Sequence, residues 1–333
     1  MGLVIAVVGS TGLVGQKMLR VLEERKVPCE KVIAVASERS VGRQLKFGHG
    51  HLTVVGVEEA LAMKPNVALF SAGSALSKHW AKSFTAQGCF VIDNSSAWRM
   101  DPDVPLVVPE VNGDSLKAES KLIANPNCST IQLVLAMAPL HRAFGLQRMV
   151  ISTYQAVTGT GQAAVHQMND ERAGKEAQMV YPYPIDMNCL PHGGDFQDNG
   201  YTTEEMKLVH ESRKIMDAPN LKVTATVVRV PILGGHSESV NARFEKPFDL
   251  PQVRELLKNQ PGIILEDNPA KNQYPMPLFA GDKDHVFVGR LRLDESEENS
   301  LNLWIVSDNL RKGAATNAVQ ILEQLLERGF VQA

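Results

Sequence analysis

The first third of the chain alternates between short apolar runs and helical patterns. Residues 3–8 form a continuous apolar run, as in a strand that is buried on both faces of a parallel sheet. Val14, Met18, Val21 and Leu22 then recur at the spacing of one helical face. The same patterns predict further strands at 31–36, 66–71, 89–93, 105–108 and 121–125, and helices near 57–63 and 77–87. This strand–helix alternation predicts a parallel sheet with helices on both faces.

The pattern changes near residue 130. A helix is predicted from about residue 129 to residue 142, and a β-branched and aromatic strand follows in RMVISTYQAV. The segments LKVTATVVRVPI, HVFVGRLRL and SLNLWIV alternate with period two, which predicts a largely antiparallel sheet covered on one face. Residues 181–200 are rich in turn-forming types and predict a long ordered loop. The last apolar stripe predicts an amphipathic helix over 309–328.

Composition and charge narrow the class of protein. The chain has 333 residues, of which 44% are hydrophobic and 21% charged, as in ordinary globular proteins. A net charge of -3 offers no electrostatic footprint for nucleic acid, and no apolar run is long enough to span a membrane. The sequence therefore predicts neither a nucleic-acid partner nor a membrane partner.

The four cysteines are Cys29, Cys89, Cys128 and Cys189. They are widely spread, with no C-x-x-C motif and no histidine at zinc-site spacing, so no metal site is predicted. A long chain with few cysteines favours reduced thiols and a cytoplasmic location over a disulfide framework.

A glycine-rich turn directly follows the first predicted strand. VVGSTGLVGQ places Gly9, Gly12 and Gly15 at the start of the next helix, in the spacing G-x-x-G-x-x-G. Glycines there let the backbone approach a pyrophosphate, and the helix N-terminus supplies N–H groups and a positive dipole end. The turn predicts a dinucleotide-binding domain.

The end of the second strand bears on the choice of cofactor. VASERS offers Ser37, Arg39 and Ser40, whose hydroxyls and guanidinium suit a ribose 2′-phosphate, so NADP is favoured over NAD. Glu38 could instead bond a ribose hydroxyl, and Arg39 could be a solvated surface residue. NAD therefore stays open as the alternative.

Cys128 lies in the stretch ANPNCSTIQL, where it could be a buried filler, a metal ligand, half of a disulfide or a nucleophile. A thiol at a helix N-terminus is expected to have a lowered pKa, because the dipole favours the thiolate. Most cysteines that are not in disulfides are small buried hydrophobes, which suits the other three cysteines. Polar turn residues surround Cys128, which favours the nucleophile.

His236 has the most suggestive setting of the nine histidines, in RVPILGGHSES. An imidazole that follows a strand and two glycines could serve as general acid and base, although a surface histidine in a serine-rich loop is the plainer alternative.

A cysteine nucleophile with a nicotinamide suits one chemistry: an aldehyde forms a thiohemiacetal, hydride leaves, and phosphate or water cleaves the thioester. In reverse, an acyl phosphate acylates the cysteine and NADPH reduces the thioester.

Seven segments that lie between residues 5 and 326 resemble, in the same order, the aspartate-β-semialdehyde dehydrogenase family: GSTGLVG, NSSAWR, NPNCST, STYQAVTGTG, EEMKLVHES, VRVPILGGHSES and DNLRKGAATNAVQI. The resemblance implies NADPH-dependent reduction of L-4-aspartyl phosphate to L-aspartate-4-semialdehyde, in the biosynthesis of lysine, diaminopimelate, threonine, methionine and isoleucine. It also implies a homodimer, or a tetramer built from dimers.

The implied fold is α/β, with an N-terminal Rossmann-type dinucleotide-binding domain over 1–129. The C-terminal helix, 310–333, is expected to pack back onto that domain. Residues 130–309 are expected to form an α+β catalytic and dimerisation domain with a mixed, largely antiparallel sheet.

The resemblance also implies roles for individual residues. Cys128 would accept the acyl group, Gln155 would orient it and His236 would be the acid/base. Arg229 would hold the substrate carboxylate and Glu204 its ammonium, with Glu205 as the open alternative. The phosphate would be bound by Arg99, Asn127 and Lys207. The cofactor would be bound by Gly9, Ser10, Thr11, Gly12, Leu13, Val14, Ser37, Arg39, Ser40, Gly73, Gly159 and Asn309.

Two alternatives remain. N-acetyl-γ-glutamyl-phosphate reductase or a malonyl-CoA reductase would share the glycine turn, the cysteine and the histidine, but an acetylated substrate would not need Glu204. A non-catalytic dinucleotide-binding relative would typically lack the cysteine.

Overall fold

The structure is a computed structural model that describes residues 2–332. The chain divides into two compact units, of which the first comprises Met1–Asn127 with Ala314–Ala333 and the second Cys128–Gly313. The second unit is therefore inserted, along the chain, between two parts of the first.

The first unit is built on a parallel sheet. Its strands are β1 (Val4–Val8), β2 (Lys31–Val35), β3 (Gln44–Phe47), β4 (Gly50–Thr53), β5 (Val67–Phe70), β6 (Phe90–Asp93) and β7 (Leu122–Ala124). Five of them form a parallel sheet in the order β2-β1-β5-β6-β7, while β3 and β4 pair as a separate antiparallel hairpin. The predicted parallel sheet is confirmed, and the hairpin is an element that the sequence patterns did not predict.

The helices that cover this sheet explain the continuous apolar runs. They include α1 (Leu13–Glu24), α2 (Val57–Ala62), α3 (Ser74–Ala86) and α4 (Pro109–Asn112). Within β1, Ile5 belongs to one buried cluster with Met18 of α1, and Ala6 to another with Phe84 of α3. Both faces of the strand are therefore buried, and no polar position interrupts it.

The second unit contains a mixed sheet. Its strands are β8 (Leu146–Ala156), β9 (Lys222–Val230), β10 (His236–Phe244), β11 (Ile263–Leu265), β12 (Val286–Leu293) and β13 (Ser300–Ser307), in the order β11-β12-β13-β10-β8-β9. The inner pairs are antiparallel, and the outer pairs, β11 with β12 and β8 with β9, are parallel. The predicted mixed, largely antiparallel sheet is confirmed.

The helices of the second unit are α5 (Cys128–Phe144), α6 (Gln162–Arg172), α7 (Thr203–Ile215), α8 (Leu250–Asn259) and α9 (Pro277–Ala280). Helix α5 packs against β8, β10, β12 and β13 and is buried over most of its length. It covers the face of the sheet on which Ile151 and Val240 are buried, whereas Tyr154 of the opposite face is 37% exposed. The sheet therefore has one covered face and one open face.

The last helix, α10 (Thr316–Glu327), belongs to the first unit. It buries Ala318, Ile321, Leu322 and Leu325 in the cluster that contains Ile5. It starts later than predicted, because Arg311–Ala315 form a π-helical segment before the α-helix begins.

One further prediction is wrong, and one alternative is excluded. No strand spans 105–108 in the structure of residues 2–332, where Leu106 makes only an isolated bridge to Ala124. Prolines at 105 and 109 limit pairing, since proline lacks the backbone N–H. His236 follows β9 and the two glycines as predicted, but it begins strand β10 and is fully buried, so it is not in a surface loop.

Candidate active site

The glycine turn of the first unit lies between β1 and α1. Gly9 has a φ of +88°, and a Cβ there would lie 2.3 Å from the carbonyl oxygen of Ser71, so only glycine fits. Gly15 allows α1 to approach the turn, since a Cβ at that position would lie 2.1 Å from Gly9 O. Gly12 is the N-cap of α1 and has no side chain to occupy the first N–H groups of the helix.

The other turn residues differ in how they are used. Ser10 is fully buried and its hydroxyl donates to Val35 O at 3.0 Å, which fixes the turn to β2. Leu13 and Val14 are the first two residues of α1, so their backbone N–H groups have no acceptor within the helix. Thr11 lies between these positions in the same turn. The turn as a whole fits a pyrophosphate of a pyridine nucleotide.

The predicted 2′-phosphate residues follow β2. Ser37 is the N-cap of a short 3₁₀ helix, Glu38–Ser40, and Arg39 in that helix is exposed. Gly73 follows β5 with a φ of +85° and is the N-cap of α3. These residues lie where strands of the parallel sheet end, the edge at which such folds bind nucleotides.

Arg99 is buried and held by backbone carbonyls of the first unit. Its Nε donates to Asn125 O at 3.0 Å and its Nη2 donates to Asn94 O at 2.9 Å. Asn125 in turn donates to Asn94 Oδ1 at 2.6 Å and accepts from Asn317 of α10 at 2.7 Å. Asn127 is also buried, at the end of this unit. The turn NPN that precedes Cys128 is thus fixed by hydrogen bonds, and Asn317 is a contributor that the sequence did not reveal.

Cys128 is the first residue of α5, in the second unit. Its neighbour Ser129 is fully buried and accepts a hydrogen bond from Gln155 Nε2 at 2.8 Å, which ties the helix start to β8. Gly313 packs against Cys128, since a Cβ on Gly313 would lie 2.9 Å from Cys128 Cβ. Any side chain at Gly313 would therefore displace the thiol. Sequence patterns missed both Ser129 and Gly313, although both lie in the segments that resemble the family.

Three predicted site residues form a row across adjacent strands. Arg229 of β9 pairs in register with Gln155 of β8. His236 of β10 lies one position beyond the Ser237–Tyr154 pair, beside Gln155, and Ala156 N donates to its Nδ1 at 3.0 Å. All three side chains are buried on the face that α5 covers. We call Arg229, Gln155 and His236 the first row.

One polar atom of each residue in the first row is buried without a hydrogen-bond partner in the described part of the chain. Among residues 2–332, Arg229 Nε, Gln155 Oε1 and His236 Nε2 are buried without a hydrogen-bond partner. A Cβ on Gly159 would lie 2.7 Å from Arg229 Nη1 and 3.0 Å from His236 Nε2. The glycine thus leaves room beside both groups, and unpartnered buried polar atoms of this kind are typical of a ligand site.

The electrostatics of His236 favour a neutral ring. Burial, with the Arg229 charge as a second cause, lowers the pKa of His236 to about 3, although Gly235 opposes the shift. Nδ1 accepts the Ala156 N–H, so the proton of the neutral ring lies on Nε2. His236 is therefore poised to donate a hydrogen bond from Nε2.

Neighbouring glutamates in α7 have different surroundings. Glu205 is buried, and its two oxygens accept from Thr202 N at 2.7 Å and from Val227 N at 3.0 Å, so it caps the helix and anchors β9. Glu204 is half-buried and forms an ion pair with Lys207 one turn later. Because Glu205 has a structural role on both oxygens, Glu204 is the carboxylate that suits a ligand.

Asn309 is buried and bonded to Thr158, which lies next to Gly159 in the 3₁₀ turn Val157–Gly159. Asn309 Nδ2 donates to Thr158 Oγ1 at 3.1 Å. This places Asn309 and Gly159 on one side of the first row, within the second unit. Thr158 is a further polar group there that the sequence did not single out.

Two kinds of feature are absent from residues 2–332. No helix in that range is long and apolar enough to cross a membrane. No group of three or more His, Cys, Asp or Glu side chains in that range is arranged to hold a metal ion.

Comparisons with known proteins agree on one family. The family model for the semialdehyde dehydrogenase NAD binding domain matches residues 4–119, and that for the semialdehyde dehydrogenase dimerisation domain matches residues 137–312. An aspartate-semialdehyde dehydrogenase of Aquifex aeolicus is 50% identical over 340 residues, covering 99% of this chain and 100% of that protein. One from Bacillus subtilis is 46% identical over 343 residues, covering 99% of each.

A solved structure gives the same result. The crystal structure of aspartate semialdehyde dehydrogenase II complexed with ASA from Vibrio cholerae has a TM-score of 0.94 and 43% identity, covering 98% of this chain and 99% of that one. The chain therefore belongs to the aspartate-semialdehyde dehydrogenase family, a family of oxidoreductases that act on an aldehyde.

Proposed function

We propose that this chain interconverts L-4-aspartyl phosphate and L-aspartate-4-semialdehyde, with NADPH as reductant and Cys128 as the acyl carrier. The observation that carries the proposal is the first row, whose buried polar atoms lack partners among residues 2–332, together with the helix start held to it by Gln155 and Ser129. In the biosynthetic direction the product supplies lysine, diaminopimelate, threonine, methionine and isoleucine synthesis.

The first step is acylation of Cys128. The thiolate attacks the acyl carbon of aspartyl phosphate, a C–S bond forms, and the C–O bond breaks as phosphate leaves with its electron pair. The N-terminal end of α5 favours the thiolate through its dipole. The product of this step is a thioester on Sγ.

The second step reduces the thioester. A bound nicotinamide would supply the hydride. As the thioester carbon gains the hydride, the carbonyl oxygen becomes an alkoxide. When the alkoxide collapses, the C–S bond breaks and the thiolate is restored. The step needs no net proton transfer, so His236 acts by donating a hydrogen bond from Nε2 to the alkoxide. This refines the predicted acid/base role to that of a donor.

The remaining roles follow the charges of the substrate. Arg229 binds the α-carboxylate, because its unpartnered Nε and its planar fork suit a bidentate contact. Glu204 meets the α-ammonium and Gln155 orients the acyl group. The phosphate roles of Arg99 and Asn127 in the first unit and of Lys207 in the second stay predictions, as do the cofactor roles of Gly159 and Asn309.

We favour NADP as the cofactor. The exposed Arg39, flanked by Ser37 and Ser40 after β2, offers the positive charge and hydroxyls that a 2′-phosphate needs. Discrimination is measured as the ratio of kcat/KM for NADP⁺ and NAD⁺. A ratio near one would contradict this choice.

We also infer a homodimer that pairs through the open face of the mixed sheet. Tyr154 and Trp304 lie side by side on that face, with ring centroids 5.4 Å apart, and both are partly exposed. Aromatic groups on an open face favour an interface. Light scattering on the wild type should give twice the chain mass, and Tyr154→Glu should give a monomer. A wild-type monomer would contradict the pairing, and four times the mass would indicate the tetramer.

We further propose a cytoplasmic location, which is supported by the four free cysteines, because thiols persist in a reducing compartment. The test of function is the reduction of NADP⁺ by L-aspartate-4-semialdehyde, followed at the NADPH absorbance band. Turnover should require both aldehyde and phosphate. Turnover with N-acetylglutamate semialdehyde instead would move the assignment to the acetylated substrate.

A further inference from the structure

A second row of side chains lies next to the first row on the covered face of the mixed sheet. It consists of Val227, Thr153, Glu238 and Ile305, from β9, β8, β10 and β13. Glu238 is fully buried and lies two residues from His236 on the same strand and the same face. A carboxyl group is an unusual member of such a row, because burying its charged form is costly.

Gln132 of α5 faces this carboxyl. It lies one helical turn after Cys128, on the same side of the helix, and it is 1% exposed. Its amide is close enough to influence Glu238, but the two groups do not reach hydrogen-bond geometry. Both Glu238 oxygens and Gln132 Nε2 therefore lack a hydrogen-bond partner among the described residues, as does Thr153 Oγ1.

Burial favours the neutral acid form of Glu238. Burial raises the pKa of Glu238 to about 8, and the Gln132 amide opposes part of the rise. A neutral acid can donate as well as accept, so its hydroxyl matches Gln132 Oε1 and its carbonyl matches Gln132 Nε2. A carboxylate could only accept.

We propose that Glu238 is a positioning residue that joins β10 to α5 through a buried acid–amide contact with Gln132, and so fixes His236 relative to Cys128. The strand carries His236 two residues before Glu238, and the helix carries Cys128 four residues before Gln132. The pair therefore links the strand that carries His236 to the helix that carries Cys128. In the same way, the hydrogen bond between Gln155 and Ser129 links β8 to that helix. This inference rests on the proposed function.

Few charges surround Glu238. The titratable or charged groups nearest to Glu238 by strand register or helical turn are His236 on its own strand, Arg229 on β9 and Cys128 at the start of α5, whereas His141, Arg142, Arg148, Lys222 and Arg243 lie at the far ends of these elements. The nearest positions on β8 and β13 are Thr153, Gln155, Ile305 and Ser307, which carry no charge. Ionisation of Glu238 would therefore place a charge in the site and remove the donor that the acid offers to Gln132 Oε1, although Gln132 Nε2 could still donate to the carboxylate.

The first test compares Glu238→Gln with Glu238→Leu. Glutamine keeps a donor and an acceptor and can form an amide–amide pair, whereas leucine can do neither. We expect Glu238→Leu to lower kcat by ~10–100-fold while KM for the semialdehyde changes less than about threefold, since positioning is lost and binding is not. Glu238→Gln should retain at least about a third of wild-type kcat. If Glu238→Gln loses as much as Glu238→Leu, the positioning role is wrong.

The second test reads the thiol without any substrate. Iodoacetamide labelling followed by peptide mass mapping gives the alkylation rate of Cys128, with the exposed Cys189 as an internal standard. Glu238→Leu and Gln132→Leu should each change the Cys128 rate by about fivefold or more relative to Cys189, and Glu238→Gln by less than about twofold. Equal rates in all variants would overturn the inference even where the proposed reaction holds, and altered rates would support it even where that reaction fails.

The third test compares the pH dependence of kcat in wild type and Glu238→Gln, and it does not need the leucine variants. As pH rises through about 8, wild-type Glu238 ionises, and kcat should fall. Glu238→Gln cannot ionise and should lack this alkaline limb. An identical limb in both proteins would overturn the proposal, and this comparison decides the question if the leucine variants do not fold.

Discussion

The two sheets of the molecule carry their polar residues in different places. In the parallel sheet of the first unit, strand interiors are apolar, and chemistry begins where the strands stop, at Gly9, Ser37 and Gly73. In the mixed sheet of the second unit, Gln155, Arg229, His236 and Glu238 lie within the strands and are buried. The parallel sheet therefore offers a ligand backbone groups at its edge, whereas the mixed sheet offers a ligand side chains on its covered face.

The difference has a physical cause. A parallel sheet covered on both faces leaves only its carboxyl edge for ligands, where backbone N–H groups suit a phosphate. The covered face of the mixed sheet removes side chains from water, so their protonation states shift, as with His236 and Glu238. The first arrangement suits binding, whereas the second suits a reaction that needs neutral donors and fixed charges.

The comparison predicts that the largest loss of activity comes from Cys128→Ser. Removing the nucleophile should lower turnover in both directions by on the order of 10⁴-fold or more, because no residue replaces the thiolate. NADPH affinity, measured by fluorescence titration, should stay within about twofold, since the turn that fits it lies elsewhere. Cys189→Ser, at an exposed thiol, is the matched control. Strong residual turnover in Cys128→Ser would rule out the nucleophile.

Arg229→Leu should have the next largest effect. It removes a charge-assisted contact to the substrate carboxylate from the first row, and kcat/KM for the semialdehyde should fall by about 10²–10³-fold. Arg243→Leu, on the same sheet but exposed, should change kcat/KM less than about twofold. Unchanged kinetics in Arg229→Leu would place the carboxylate elsewhere.

His236→Ala should lower kcat by about 10²-fold, because one donor to the alkoxide is lost. Since the pKa of His236 is lowered to about 3, the ring is neutral across pH 5–8. The pH profile of wild-type kcat should therefore show no limb near pH 6.5 that His236→Ala abolishes. Such a limb would mean that His236 does titrate and acts as the general acid or base.

Arg39→Leu tests the edge of the parallel sheet. Loss of the cation should raise KM for NADP⁺ by about tenfold or more, because a charge-assisted hydrogen bond to the 2′-phosphate is removed. KM for NAD⁺, which lacks that phosphate, should change less than about twofold. Equal changes for both cofactors would assign Arg39 a structural role.

The last prediction concerns stability rather than turnover. Folded wild type keeps the Glu238 proton up to about pH 8, whereas the unfolded chain loses it near pH 4.5, so this group destabilises the fold progressively as pH rises between those values. Glu238→Gln has no such dependence. Its free energy of unfolding should exceed that of wild type by an amount that grows from pH 5 to pH 8, reaching up to roughly 3 kcal/mol at pH 7.

Urea unfolding at several pH values measures this difference. Glu298→Gln, at an exposed carboxylate, serves as the control and should give no pH trend. A flat difference for Glu238→Gln would mean that Glu238 is ionised in the folded protein.

Sequence reasoning predicted the parallel sheet and the glycine turn well, because both depend on local patterns. The apolar run of β1 and the glycines after it are contiguous. The predicted strand at 105–108 is wrong because apolar residues alone do not specify pairing when prolines flank them.

The arrangement of the site on the mixed sheet could be predicted less well from local sequence patterns. The burial of His236 depends on β8, β13 and α5, which come from distant parts of the chain. Gly313 meets Cys128 through a π-helical segment that no periodicity indicates. Glu238 appears in the sequence as one polar residue of an alternating strand, and only the register shows that it faces the covered side.

The return of α10 to the first unit bears on how the protein is made. The ion pair between Arg25 and Glu323, at 2.7 Å, joins residues that are 298 positions apart. During synthesis the first unit therefore stays incomplete until the ribosome has finished all of the second, whose residues are contiguous. Until then α10 cannot cover the apolar surface around Ile5, so the core of the nascent first unit lacks one of its packing helices.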